Sequence, residues 1–205
     1  MRGRPPSIRE EEILDAARDV FRAEGHATTT AKIAKRARVS EGILFYRYKN
    51  KEALLAAVIF RETQPPESLR GIVKTAGQRS VGENLEKIVE TLLESVARAH
   101  PFLELAMTSP TSGEIHTLLF SKTKKAPPER IVELLAGYFE AEIHLGRARA
   151  IDTNAAARAI FGGCIDYVRS GRATGDDKAR QDFVRGLVDV LAHGTVKTAA
   201  SKRQK

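Results

Sequence analysis

The chain has 205 residues, 42% of them hydrophobic and 29% charged, enough for one sizeable core or a small domain joined to a larger one. Its single cysteine, Cys164, excludes an internal disulfide and fits a reducing cytoplasm, while the longest apolar run, ALLAAVIF at 53–60, is far shorter than the ~18 residues of a membrane span. The net charge of +8 sits at the ends, +5 over residues 1–51 and +4 over 195–205 against −1 between them, a distribution suited to a polyanion partner rather than a membrane.

In chain order, MRGRPPSIREEE lacks the apolar stretch of a signal peptide. Ser7 and Glu10 form a capping box that opens a first helix. Ile13, Leu14, Ala17, Val20 and Phe21 follow with a period of 3.6, and Gly25 ends it. TTTAKIAKRA at 28–37 predicts a short second helix with Ile33 and Ala34 inward. After the break at 38–40, Ser40 caps a third helix over 41–48. Asn50 caps a fourth over 51–64, stopped by Pro65 and Pro66. A short helical piece over 67–77 comes next. Ser80 and Glu83 form a second capping box before a helix striped with Leu85, Ile88, Val89, Leu92, Leu93 and Val96. Pro101 opens another short helix, and 109–128 holds one helical turn or two. Pro128 begins a long helix to about Arg147, Asp152 caps the next to about Ser170, and the last spans Asp177 to His193. The expectation is all-α: about nine helices, no strands, no internal repeat. TVKTAASKRQK at 195–205 has no apolar pattern and reads as a basic disordered tail.

Helices 29–37 and 41–48, joined by about three residues, have the spacing of a helix-turn-helix. At ~100° per residue, Leu44 and Tyr48 point one way and Gly42, Ile43, Tyr46 and Arg47 the other. Leu44 and Tyr48, with Ile33 and Val39, close a small core under the second helix of the pair. The opposite face is left to enter a major groove. There Tyr46 and Arg47 offer a phenol and a guanidinium to phosphates or base edges, and Gly42 permits close backbone approach. Phe45 lies between the two faces.

ILDAARDVFRAEG followed by TTTAKIAKRARVSEGILFYRYKNKEALL, within residues 6–66, resembles the DNA-binding domain of the TetR family of bacterial transcriptional regulators. The resemblance implies a helix-turn-helix domain over 1–51 with its motif at 29–48. It also implies a helical ligand-binding and dimerisation domain over 52–194, with two C-terminal helices forming a dimeric four-helix bundle. Carried over by position, it assigns Thr30, Tyr46 and Lys51 to phosphates and Ser40, Gly42, Ile43 and Arg47 to the groove, with Arg47 reading bases. Glu41 accepts from a cytosine amino group or complements the helix dipole. Two positions depart from the family pattern. Arg38 stands where glycine is usual in the turn, so a left-handed backbone there costs about 1 kcal/mol and the side chain offers a phosphate contact. Phe45 stands where tyrosine is usual, which replaces a phosphate hydrogen bond by an apolar contact with sugar or a thymine methyl. RGRP at 2–5, with Arg2 and Arg4, matches the core of a minor-groove AT-hook or belongs to a disordered tail.

No phosphate-binding, dinucleotide, nucleophile-elbow or zinc-protease motif occurs, and the five histidines are scattered singly, so neither an enzyme nor a cofactor or metal is expected. Cys164 reads as a buried inert thiol. The expected function is a regulator, acting as a repressor that a small-molecule effector releases from a palindromic double-stranded operator. A sequence-tolerant architectural DNA protein and a helical small-molecule carrier are the alternatives. Phe102, Met107, Phe120, Tyr138 and Phe139 are apolar enough to line an effector cavity or to be core. A homodimer is expected through the last two helices, with Ala159 and Gly163 on one and Phe183, Leu187, Val190 and Leu191 on the other.

Overall fold

The computed structural model describes residues 10–121, 127–172 and 176–193. Among these there is no strand, and the α-helices are α1 (Glu10–Glu24), α2 (Thr30–Ala37), α3 (Glu41–Arg47), α4 (Lys51–Glu62), α5 (Glu67–Val73), α6 (Val81–Met107), α7 (Ser112–Ser121), α8 (Pro127–His144), α9 (Thr153–Arg169) and α10 (Asp177–His193). The side chains of Thr29, Ser40, Asn50 and Asp152 cap α2, α3, α4 and α9, accepting from the N–H groups of Lys32, Ile43, Ala53 and Ala155 at 3.3, 3.3, 2.8 and 2.9 Å. Ser80 and Glu83 form the expected reciprocal box before α6, at 3.1 and 3.2 Å. Ser7 lies outside the described residues, as do Arg2, Arg4 and the tail at 195–205.

The chain divides into two compact units, one of residues 1–65 with 95–130 and one of 66–94 with 131–205. In the first, α1 supplies Ile13, Leu14, Ala17, Val20 and Phe21, α2 supplies Ile33 and Ala34, and α3 supplies Leu44. Leu54, Leu55, Val58 and Ile59 of α4 complete that core with Phe102 and Leu105 of α6 and Ile115 of α7. The units therefore divide differently from the sequence expectation of 1–51 and 52–194. The apolar face of α4 packs on α1, and residues 95–130 join the same unit. In the second unit, Leu85, Ile88, Val89, Leu92 and Leu93 of α6 are buried, as are Ile131, Leu135 and Phe139 of α8. Ile160 and Cys164 of α9 and Val184 and Val188 of α10 are buried too.

Pro101 does not open a separate helix, as its sequence position had suggested; α6 runs through it for 27 residues. The proline ring is exposed, and its missing N–H and clash cost about 3 kcal/mol. Burying Phe102 and Leu105 on the following turn returns about 1.5–3 kcal/mol each, enough to keep the helix continuous. The stretch expected to hold a turn or two is α7, ten residues long and held by Ile115 in the first core.

Candidate nucleic-acid interface

The turn between α2 and α3 is built around Arg38, whose φ of 57° and ψ of 39° are left-handed. Its N–H donates to the Lys35 carbonyl at 3.3 Å and that of Val39 to the Ala34 carbonyl at 3.0 Å. This is the Schellman pattern that closes a helix C-terminus, with an arginine where glycine is favoured. Val39, partly buried against the core that holds Ile33 and Ala34, provides the accompanying apolar contact. Ser40 then starts α3 at once, so the two helices are set by one left-handed residue and one cap.

The two faces of α3 separate as the periodicity requires. Leu44 is 1% exposed and anchors the helix, whereas Ile43, Phe45 and Tyr46 are 37%, 48% and 91% exposed. Ile43, Phe45 and Tyr46 thus stand together as an exposed apolar group on one short helix, unlike a lone apolar residue at a surface. Ser40, Gly42, Arg47 and Lys49 are exposed on the same stretch. A Cβ added at Gly42 would meet only the Ser40 Oγ, at 3.8 Å, so the fold itself does not require glycine there. Tyr48, just past the end of α3, is half-buried, and its hydroxyl donates to the Glu10 carboxylate at 3.0 Å. Burial first, and the Glu10 carboxylate second, push its ionisation above the ordinary tyrosine range, as suits a structural phenol.

The cations around this face are not equivalent. Lys32 pairs with Glu24 at 2.8 Å and Arg36 with Asp19 at 2.9 Å, so α2 and α1 neutralise each other. The Arg36 hydrogen bond, ahead of a smaller one from Arg18, holds the Asp19 carboxyl below its usual range. Lys51, at the start of α4, donates to the His26 carbonyl at 3.3 Å. Thr30 is the first residue of α2, next to the capping Thr29. Both Thr30 and Lys51 thus stand at helix N-termini, where backbone N–H groups favour an anion. The start of α4 is also tied to the α6–α7 corner. Asn50 donates to Glu114 at 2.7 Å, Thr111 donates to Glu52 at 3.4 Å, and the His26 ring shares a hydrogen bond with the Thr108 hydroxyl at 3.0 Å.

Of the five residues read as cavity lining or core, Phe102, Met107 and Phe120 belong to the first unit and Tyr138 and Phe139 to the second. Phe102 is packed in the first unit's core, because the unbroken α6 carries it there, with the Arg22 guanidinium 5.6 Å from its ring centroid. Met107 and Phe120 are 79% and 42% exposed, and only Tyr138 and Phe139 lie in the interior of the second unit. Of the residues expected at a dimer interface, Gly163 faces its own protomer: a Cβ there would meet Leu187 at 3.6 Å and Phe183 at 3.9 Å. Phe183 stacks on Tyr167 with centroids 4.3 Å apart. Ala159 and Val190 are exposed, and Phe183, Leu187 and Leu191 half-exposed, so α10 carries an apolar stripe besides the buried Val184 and Val188. Cys164 is fully buried, and burial pushes its thiol up to about 12. No grouping of metal-binding side chains occurs among the described residues, and none of their helices is long and apolar enough to cross a membrane.

Two polar residues that the sequence reading did not single out are buried in the second unit, Asn84 and Glu142, and Glu142 pairs with the exposed Arg147. The signal was present. Glu142 falls one turn after Tyr138 and two after Leu135 on the inward stripe of α8, and Asn84 falls one turn before Ile88 on that of α6.

Residues 13–58 match the family model described as bacterial regulatory proteins, tetR family. Over 99 residues the chain is 31% identical to an uncharacterized HTH-type transcriptional regulator, YvkB, of Bacillus subtilis (strain 168), a match covering 48% of this chain and 50% of that one. The chain therefore spans about half the length of this curated relative. Among solved structures it resembles a TetR-family transcriptional regulator from Mesorhizobium loti (TM-score 0.72, 16% identity, 88% of this chain and 93% of the other). It also resembles the transcriptional regulator FadR from Bacillus subtilis in complex with stearoyl-CoA (TM-score 0.63, 17% identity, 92% of this chain and all of the other). At such identities these likenesses speak for the fold.

Proposed function

We propose that this chain, a transcriptional regulator of the tetR family of bacterial regulatory proteins, is a homodimeric repressor that binds a palindromic operator and leaves it when a small molecule binds. The observation that carries the reading is the outward face of α3, where Tyr46 is 91% exposed beside Arg47 while Leu44 holds the helix in place from below. In this reading Arg47 reads a base edge and Ser40, Gly42 and Ile43 line the groove. Phe45 meets sugar or a thymine methyl, and Thr30, Tyr46, Lys51 and Arg38 hold phosphates. The +5 charge over residues 1–51 draws the domain to the duplex, with Arg2 and Arg4 available to the minor groove.

A palindrome follows from two-fold symmetry. The half-exposed stripe of Phe183, Leu187, Val190 and Leu191 on α10, with Ala159 of α9, is the surface we assign to the second copy. The two α3 helices then need to stand ~34–36 Å apart to meet successive major grooves. Release requires a ligand that favours another spacing, and its effect is limited by its differential affinity for the two. The hydrogen bonds that Asn50 donates to Glu114 and Glu52 accepts from Thr111 give a route by which a shift of α6 reaches the start of α4.

Selection from a random DNA pool tests the reading. An inverted repeat common to the selected sequences supports a dimeric operator. A pool that stays random supports the sequence-tolerant architectural protein, and no retained DNA supports the carrier.

A further inference from the structure

The chain passes between its two units after Pro65, within α6 after Glu94 and within α8 after Arg130. Two of these crossings meet in one side-chain contact. Arg130, the last residue of the first unit, donates from its guanidinium to the side-chain carbonyl of Gln64 at 2.7 Å, and Gln64 is the residue before Pro65. The same guanidinium lies 5.5 Å from the centroid of the Phe60 ring. Phe60 is in the last turn of α4 and Gln64 lies just past it, so both contacts grip the end of that helix.

That end is closed by donors from its own chain. The Gln64 side-chain nitrogen donates to the Phe60 carbonyl at 2.8 Å, the Gln64 N–H to the Arg61 carbonyl at 3.2 Å and the Thr63 hydroxyl to the Ile59 carbonyl at 2.7 Å. These are carbonyls of the kind that a helix C-terminus leaves without partners. A guanidinium placed there also meets the negative end of the helix dipole. Gln64 uses its donor on α4 and its acceptor on Arg130, so its side chain is fixed from both sides. The neighbouring Arg61 reaches α1, with the Asp15 carboxylate at 3.1 Å and the Glu11 carbonyl at 3.4 Å. α1 in turn carries α3, through the core that holds Leu44 and through the hydrogen bond from Tyr48 to Glu10. One turn of α4 thus joins α1, and with it α3, to the start of α8.

Phe60, Gln64 and Arg130 stand outside the apolar core of the first unit, and none of them is on the outward face of α3. Neither the packing of that core nor contact with a groove accounts for them. Element ends are where a chain absorbs changes of φ and ψ, and a contact that joins two such ends limits both. A dimer that reads two half-sites depends on that limit, because the distance between its α3 helices is only as definite as the chain that leaves each first unit. We infer that Arg130 is a positioning residue for operator recognition: by fastening the end of α4 to the start of α8, it sets the half-site spacing at which both α3 helices of a dimer read DNA. This rests on the dimeric operator proposed above and goes beyond it in naming the side chains that select the spacing.

The test uses the full chain and the inverted repeat selected from the random pool, with versions in which one base pair is added or removed between the half-sites. Such a change moves a half-site by ~3.4 Å and turns it by ~35° about the duplex. Fluorescence anisotropy should show the parent chain binding the selected spacing at least about tenfold more tightly than either altered one. In Arg130→Ala and in Gln64→Leu that preference should shrink to about threefold or less, since each loses the charge-assisted hydrogen bond and the first loses the ring contact too. Affinity for a single half-site should stay within about twofold of the parent. The slope of log K against log salt should not change, because Arg130 holds no phosphate in this account. Arg130→Lys keeps a cation for the Phe60 ring and a donor for Gln64, so its preference should lie between those of the parent and Arg130→Ala. Thermal unfolding checks that each variant folds. A spacing preference unchanged in both Arg130→Ala and Gln64→Leu would overturn the brace and leave the dimeric operator standing. So would half-site affinity falling in step with operator affinity, the mark of a merely structural residue, or a lower salt slope, the mark of a phosphate contact. A parent chain that binds all three spacings alike would overturn both readings.

Discussion

Arg38→Gly should make the protein more stable and a poorer DNA binder at once. At φ 57° and ψ 39° the arginine Cβ crowds the following carbonyl, a strain of about 1–2 kcal/mol that glycine does not feel. Glycine's freer unfolded chain takes back about 0.4–1 kcal/mol. The net gain is about 0.5–1 kcal/mol, which for a chain of this size raises Tm by about 1–4 °C. Arg38→Ala keeps the strain and removes the charge, so its stability should stay within about 0.5 kcal/mol of the parent. Thermal unfolding followed by circular dichroism gives both values. Fluorescence anisotropy on operator DNA across a salt series should show both variants losing about one unit of the slope of log K against log salt. If alanine stabilises as much as glycine, or if glycine destabilises, the backbone at Arg38 is not where the strain resides. If the slopes do not change, Arg38 holds no phosphate.

Gly42→Ala fills open space on α3 and should raise Tm by about 1–2 °C through helix propensity, while weakening operator binding at least about tenfold if DNA backbone comes close there; anisotropy and thermal unfolding on the same sample decide. Arg47→Ala should cost about 1–3 kcal/mol toward operator and relax preference at one position per half-site, whereas Lys51→Ala should weaken all sequences alike; identical behaviour of the two on operator and random DNA would refute that division. Val190→Asp, on the exposed stripe of α10, should shift the sedimentation mass from about twice 22.5 kDa to 22.5 kDa, and a parent chain already at the lower mass would refute the dimer. With its thiol raised to about 12 by burial, Cys164 should react with a disulfide reagent at pH 8 far more slowly in the folded chain than in denaturant; equal rates would mean the second unit's interior is open.

How much of this was legible beforehand depended on how local the cause was. Ser40, Asn50, Asp152 and the Ser80–Glu83 box act within a few residues, and each caps the helix it was expected to cap. The orientation of Leu44 against Tyr46 follows from helical period alone, and the left-handed turn at Arg38 was expected from the glycine usual at that position. Pro101 was misjudged because its local effect, a lost hydrogen bond, is outweighed by the burial of Phe102 and Leu105 against helices far away in sequence. The same long-range packing holds Phe102 in the first unit's core, while Met107 stands in solvent. An apolar residue at helical spacing shows that a face is buried but not against which partner. Asn84 and Glu142 show the converse: a polar residue on an inward stripe is visible in the sequence, but what it meets, such as the Arg147 that pairs with Glu142, appears only when the helices are packed.

Whether the exposed face of α3 reads DNA is decided by hydroxyl-radical footprinting on a selected operator. Two protected patches are expected on one face of the duplex, centred about 10 base pairs or a multiple apart. Both should vanish at the same protein concentration in a Tyr46→Ala, Arg47→Ala double variant whose helical circular dichroism is unchanged. A footprint that survives that double substitution, or uniform protection along the duplex by the parent chain, would contradict it.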